Sequence, residues 1–210
     1  MKLLIVGATG LVGRRVLQLA LVDPKVTSII APTRRALLEH PKLTSPIVDF
    51  EQLPPNETWW NVDAVICTLG TTIKNSGSKA AFKRVDHDSP LMVASLAHQH
   101  GASTYALNSA VGANENSKVF YNQVKGELER DLQAIGFNSL TLVQPGLIGG
   151  MRKEFRLGER VLAITLTFFG PILPKRWRIS PADNIAKALL NSAIESKSGC
   201  HCIDSKQLAR

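Results

Sequence analysis

The first thirteen residues, MKLLIVGATGLVG, leave this chain few ways to fold. The short apolar run Lys2–Val6 suits a strand buried on both faces of a parallel sheet. Three glycines follow at three-residue spacing, Gly7, Gly10 and Gly13, and an amphipathic run then begins with Val12, Val16, Leu19 and Ala20 on one face. In a strand–turn–helix unit each glycine has its own task. Gly7 permits the tight turn off the strand, Gly10 lets backbone approach a pyrophosphate, and Gly13 lets the helix pack closely on the sheet. A glycine turn used for packing alone is the competing reading, and a position between strand and helix at the N-terminus weighs against it.

The rest of the chain repeats the alternation. Further strands are expected at 26–31, 47–49, 64–68, 104–108, 140–143 and 200–203. Helices are expected at 79–100, broken near Ser89-Pro90 and stopped by Gly101, and from Asn116 or Ser117 to Ile135, stopped by Gly136. Two more are expected at 158–169 and from Ser180-Pro181-Ala182-Asp183 to about 194, the latter with Ser180 as cap, a proline in the first turn and an acid close behind. No repeat or linker divides residues 1–210, so the expectation is a single α/β domain with a doubly wound parallel sheet.

A formal charge of +8 serves solubility and attracts some anion; no zinc-finger spacing or RNP-type aromatic motif points to nucleic acid, and a phosphate-rich small molecule would serve equally well. Three cysteines make no disulfide framework, and Cys200-His201-Cys202 lacks a second cluster to complete a metal site. The cysteine count points to a reducing compartment, read as the cytoplasm. The N-terminal apolar run is interrupted by glycines and Arg14-Arg15 before an export signal forms, and the later run 161–169 is too short to span a bilayer.

Three loops extend the reading toward a dinucleotide. An acid at the end of the second strand would bind a ribose 2′-hydroxyl; this chain has Arg34 and Arg35 there, suited to a 2′-phosphate, so NADP(H) is preferred and NAD(H) possible. Asp49 and Phe50 follow the third strand, near the expected adenine. Thr68, Leu69, Gly70 and Thr71 follow the fourth, where Gly70 lets backbone lie near the ribose. Ser109 ends the fifth strand. Tyr121 and Lys125 stand four apart, one above the other on a helix. A lysine ammonium there favours the phenolate of Tyr121, which could then give a proton to a carbonyl oxygen held by Ser109.

The segments GATGLVG and YNQVK, with the serine ahead of them, resemble the short-chain dehydrogenase/reductase superfamily. VDF (48–50), CTLGTT (67–72), FKRVDHD (82–88), SAVGAN (109–114), YNQVKGELE (121–129) and QPGLIGG (144–150) resemble its atypical branch related to the Tat-interacting protein (CC3), over nearly the whole chain. The resemblance implies a Rossmann-like fold that binds NADPH and catalyses oxidoreduction of an unidentified carbonyl or hydroxyl substrate. It implies cofactor contacts at Thr9, Gly10, Leu11, Val12, Arg34, Arg35, Leu69, Gly70, Tyr121 and Lys125. Ile148 and Arg156 belong to a segment, 147–178, expected to cover the cofactor or substrate. It also implies an alternative, a non-catalytic NADPH-binding protein that signals to a protein partner. Two departures stand out. Residues 79–100 lack the asparagine that the wider superfamily uses in proton relay, with Asp86 or His87 as substitutes acting through water. Asn108-Ser109-Ala110 also holds one serine where the family can show two.

Overall fold

The computed structural model describes residues 1–149 and 180–209. Its centre is a seven-stranded, all-parallel sheet in the order β3-β2-β1-β4-β5-β6-β9. The strands are β1 (Lys2–Val6), β2 (Ser28–Ile30), β3 (Leu43–Thr44), β4 (Ala64–Cys67), β5 (Thr104–Asn108), β6 (Ser139–Gln144) and β9 (Gly199–Asp204). A separate pair joins β7 (Ile148–Gly149) to β8 (Ser180–Pro181).

One face of the sheet is covered by helix α1 (Leu11–Val22) and the late helix α6 (Ala182–Glu195), whose Val12, Val16, Ala20, Ile185, Ala186 and Leu189 share a core with Ile5 and Ile66. The other face is covered by α4 (Ser89–Gln99) and α5 (Phe120–Ile135), with Val93, Leu128 and Leu132 packed against Tyr105, Leu107 and the fully buried Trp60. β1 sits between β2 and β4, so the chain leaves the β1 edge in opposite directions for its two halves. A crevice therefore opens beyond the carboxyl ends of β1 and β4.

Local chemistry explains where elements differ from expectation. The third strand lies at Leu43–Thr44 rather than 47–49, because Pro46 has no N–H for the ladder; beyond it only an isolated bridge joins Thr33 to Ile47. The 79–100 region is three pieces: α3 (Lys79–Lys83), a π-helical turn (Arg84–Asp88), and α4 with Pro90 in its first turn. Helix α5 starts at Phe120, after the Asn114 side chain and the Ser117 hydroxyl accept the amides of Asn116 and Val119 in turns of their own. Ser180 does not cap α6. It lies in β8, its hydroxyl accepts the Gly146 amide at 3.2 Å, and Pro181 is the residue at the helix boundary. Short helices α2 (Ile73–Ser76) and α7 (Ser205–Leu208) and a 3-10 turn at Thr58–Trp60 complete the described elements. The helix expected at 158–169, and most of the covering segment 147–178 with Arg156, lie outside the described residues.

Candidate functional site

The glycine turn is built by close backbone approach. Val6 and Cys67 are register partners, and the Thr68 amide and hydroxyl both donate to the Val6 carbonyl, at 2.8 and 3.0 Å. Gly7 turns beside Thr68 with φ +85, and a Cβ on it would lie 2.7 Å from the Thr68 carbonyl carbon. A Cβ on Gly13 would come within 2.2 Å of the Gly7 oxygen, so α1 rests directly on the turn. Around Gly10 the space is more open: only the Gly7 oxygen stands near, at 3.3 Å from an added Cβ. No side chain caps α1 and no acid occupies its first turn, so its leading amides and the positive end of its dipole face the crevice unopposed. Leu11 and Val12 send their side chains into the core, which leaves their backbone for any ligand contact.

From this turn a cleft of about 810 Å³ runs across the strand ends. Gly7, Thr9 and Gly10 line it at the centre; Arg34 and Arg35 line it beyond β2; Asp49 and Phe50 beyond β3; and Thr68, Leu69, Gly70 and Thr71 beyond β4. The Thr33 hydroxyl donates to the Arg35 carbonyl and shapes the arginine turn. Two further cations on the lining, Arg14 and Arg84, were not expected. Arg14 reaches back to the Thr9 carbonyl at 3.3 Å. Its signal was the polar "RR" at the outward positions of α1; Arg84 depended on the π turn and had none. A cleft with an uncapped helix start at its centre and arginines on its walls suits an elongated, multiply anionic ligand.

Ser109, Tyr121 and Lys125 are not among the residues lining this cleft. Tyr121 is half-buried, its ring 5.6 Å from that of Phe82. Lys125 is buried beneath Gly70, where a Cβ would stand 3.8 Å from the ammonium. That ammonium lies 2.8 Å from Oδ1 of Asp86, with both side chains almost wholly enclosed. Oδ1 makes no well-aligned hydrogen bond, so its contact with Lys125 is best described as an ion pair. The other oxygen of Asp86 accepts the Thr71 amide at 2.8 Å. Asp86, expected as a water-mediated substitute for the relay asparagine, contacts Lys125 directly.

One turn further along α5, Glu129 accepts the Ser109 hydroxyl and, on both oxygens, the Gln144 amide at 3.0 Å. Burial raises the Glu129 carboxyl above its ordinary range, against the lowering effect of Ser109, Gln144 and Lys125. The expected carbonyl-binding hydroxyl of Ser109 is thus engaged with a buried carboxylate. His87, the other substitute for the relay asparagine, is buried and turned away, bridging Asp88 and Asp131 at 2.8 and 2.9 Å. Ile148 is half-buried in β7 and packs on the α1 core.

No family model matches the chain. Among curated proteins it is 30% identical to the protein fmp52, mitochondrial, of Aspergillus fumigatus, over 93% of this chain and 88% of that one. It is 32% identical to HTATIP2 of Rattus norvegicus, over 93% and 82%. Among solved structures, MoeE5 in complex with UDP-glucose and NAD superposes with a TM-score of 0.73 at 16% identity, covering 96% of this chain and 75% of that chain. The PhqB reductase domain from Penicillium fellutanum gives 0.70 at 18% identity, covering 96% and 65%. At such identities these two establish the fold alone. The cytoplasmic expectation is overturned by the relatives named mitochondrial, in A. fumigatus and in Eremothecium gossypii. Its basis was a cysteine count, which reports reducing conditions and carries no address. Among the described residues no helix is long and apolar enough to cross a membrane. With near full-length similarity at these identities, and with the doubly wound sheet and its glycine turn, the chain belongs to the family of FMP52 and HTATIP2, the Tat-interacting-protein-like branch of the atypical short-chain dehydrogenases/reductases.

Proposed function

We propose that this chain is an NADP(H)-dependent oxidoreductase of the short-chain dehydrogenase/reductase type, acting on a small carbonyl or hydroxyl substrate. The observation that carries it is one cleft holding both the uncapped start of α1 and the Arg34-Arg35 turn. The residues present fit such a cofactor. The first-turn amides of α1 receive a pyrophosphate, Arg34 and Arg35 receive a 2′-phosphate, and the open space at Gly10 admits the ligand close to backbone. When bound, NADPH supplies a hydride to the substrate carbon. Tyr121 donates the proton to the carbonyl oxygen, and Lys125 steadies the site from one helical turn away. Asp49 and Phe50 close the adenine end.

Isothermal titration tests this. NADPH is expected to bind about 10- to 100-fold more tightly than NADH, the worth of one or two charge-assisted phosphate contacts. The double variant Arg34→Ala/Arg35→Ala should erase that preference while leaving NADH affinity close to wild type. Equal affinity of the wild type for both nucleotides would end the phosphate assignment.

A second reading has its own support. The Ser109 hydroxyl is held by Glu129 and the Lys125 charge is met by Asp86, an arrangement that suits a non-catalytic NADPH-binding protein reporting to a protein partner. The relative named HTATIP2 is consistent with such a partner. No turnover across a panel of carbonyl compounds, with tight NADPH binding, would select this reading over the first.

A further inference from the structure

The ion pair between Asp86 and Lys125 is more constrained than a cofactor-binding lysine requires. The carboxylate comes from the π turn between α3 and α4, a distortion that widens one turn and directs Asp86 inward. It is anchored twice. One oxygen meets the ammonium at 2.8 Å, and the other accepts the amide of Thr71, a residue of the cleft lining. Gly70 packs against the pair, and a Cβ added to it would crowd Oδ1 of Asp86 at 3.3 Å. Asp86 is therefore tied to the backbone beyond β4 as well as to the lysine.

The charged and titratable groups around this pair are few among the described residues. Glu129 stands on the next turn of α5 and is held by Ser109 and Gln144. Cys67 of β4 lies within electrostatic reach of both partners, and burial pushes its thiol up. His87, beside Asp86 in the chain, is turned to Asp88 and Asp131. Lys125 is the cation among them, and a fixed anion touches it. A cation one helical turn from a phenol favours the phenolate, and an anion in contact with that cation offsets the effect.

We propose that Asp86 is a positioning residue of this site: it clamps the Lys125 ammonium beneath Gly70 and cancels most of the positive charge that Lys125 would otherwise present to Tyr121. This deepens the functional reading above, resting on it only for the role of Tyr121 as proton donor. Within that reading Asp86 takes the place left by the missing asparagine, by direct contact rather than through water.

The test needs no nucleotide, so a chain that ignores NADPH would sink the functional reading and leave this inference standing. The protein holds two tyrosines, Tyr105 and Tyr121. Burial pushes the Tyr105 hydroxyl well above the ordinary range, and an ultraviolet titration of wild type beside Tyr121→Phe isolates the Tyr121 phenolate. Its absence in Tyr121→Phe assigns it. Lys125→Met removes the cation and leaves the anion, and should raise the midpoint by about one pH unit. Asp86→Asn/Lys125→Met removes both charges and should bring the midpoint back to the wild-type value. A purely structural role for Asp86 would alter melting temperature without this reversal. A double variant whose midpoint stays as high as that of Lys125→Met overturns the proposal, as does a Lys125→Met midpoint equal to wild type. If Lys125→Met does not fold, the neutral pair decides alone: agreement with wild type supports the cancellation, and a raised midpoint refutes it.

Discussion

The turn after β1 and the π turn before α4 bring backbone and side chains to the same cleft by opposite means. At the first, the close contacts are all main chain: Gly7 beside Thr68, and Gly13 against the Gly7 carbonyl. The residues that matter there have no side chain, and the anion-binding power comes from amides already in place. At the second, the contacts are between side chains removed from water: the ion pair of Asp86 with Lys125 and, a turn away on α5, the Glu129 carboxyl with the neutral Ser109 hydroxyl and Gln144 amide. The glycine turn tolerates no added volume at Gly7 or Gly13. The π-turn region tolerates no unbalanced charge. A ligand-binding cleft can thus be stiffened on one side by the absence of atoms and on the other by the mutual need of charges for partners.

The difference can be broken most severely at the charged side. Lys125→Met should cost about 3–5 kcal/mol in urea denaturation, because it strands the buried Asp86 carboxylate. Asp86→Asn/Lys125→Met should recover most of that loss, and a double variant no more stable than the single would show that the two do not act as a pair. At the backbone side, Gly13→Ala places a methyl 2.2 Å from the Gly7 oxygen and 2.5 Å from the Thr68 hydroxyl. The expected cost is about 3 kcal/mol by the same denaturation measurement, with no electrostatic partner able to rescue it. A fully stable Gly13→Ala would mean that α1 does not rest on the turn.

The smallest expected effect sharpens the contrast through pH. Glu129 has its folded-state pKa raised above the unfolded value, first by burial. The folded protein therefore holds this proton over a pH range in which the unfolded chain has released it. The group's contribution to stability is present below the ordinary carboxylate range and is lost as pH rises through the raised value. Thermal melts of Glu129→Gln should lack that slope, so the variant gains on wild type as pH rises through the window. Parallel pH dependence of the two proteins would remove Glu129 from the account.

What was readable from the sequence follows the same division. Gly7, Gly10 and Gly13 announce the turn because their tasks are local: three residues apart, between an apolar run and an amphipathic one. The sheet direction follows from the alternation of elements, which needs no long-range knowledge. Strand β3 was misplaced because the apolar residues at 47–48 attracted the assignment, while Pro46 decided it by withholding a donor. Ser180 looked like a helix cap because serine before a proline and an acid so often is; a partner strand at Ile148–Gly149 took its backbone instead. The Asp86–Lys125 contact lay beyond reach for a different reason. It joins residues on separate elements across a distorted turn, and nothing in the spacing of either residue encodes the π geometry. Arg84 entered the cleft lining by the same route.

The pairing of α1 with α6 has a consequence for biosynthesis. The inward stripe of α1, with Val12, Val16 and Ala20, is completed by Ile185, Ala186 and Leu189, which a ribosome delivers long after α1 itself. Until then one side of the sheet has no finished hydrophobic layer, and a nascent chain carries bare aliphatic surface through most of its synthesis. Any truncation ahead of Ala182 would leave that surface without α6, which makes a late helix a requirement for the solubility of an early one.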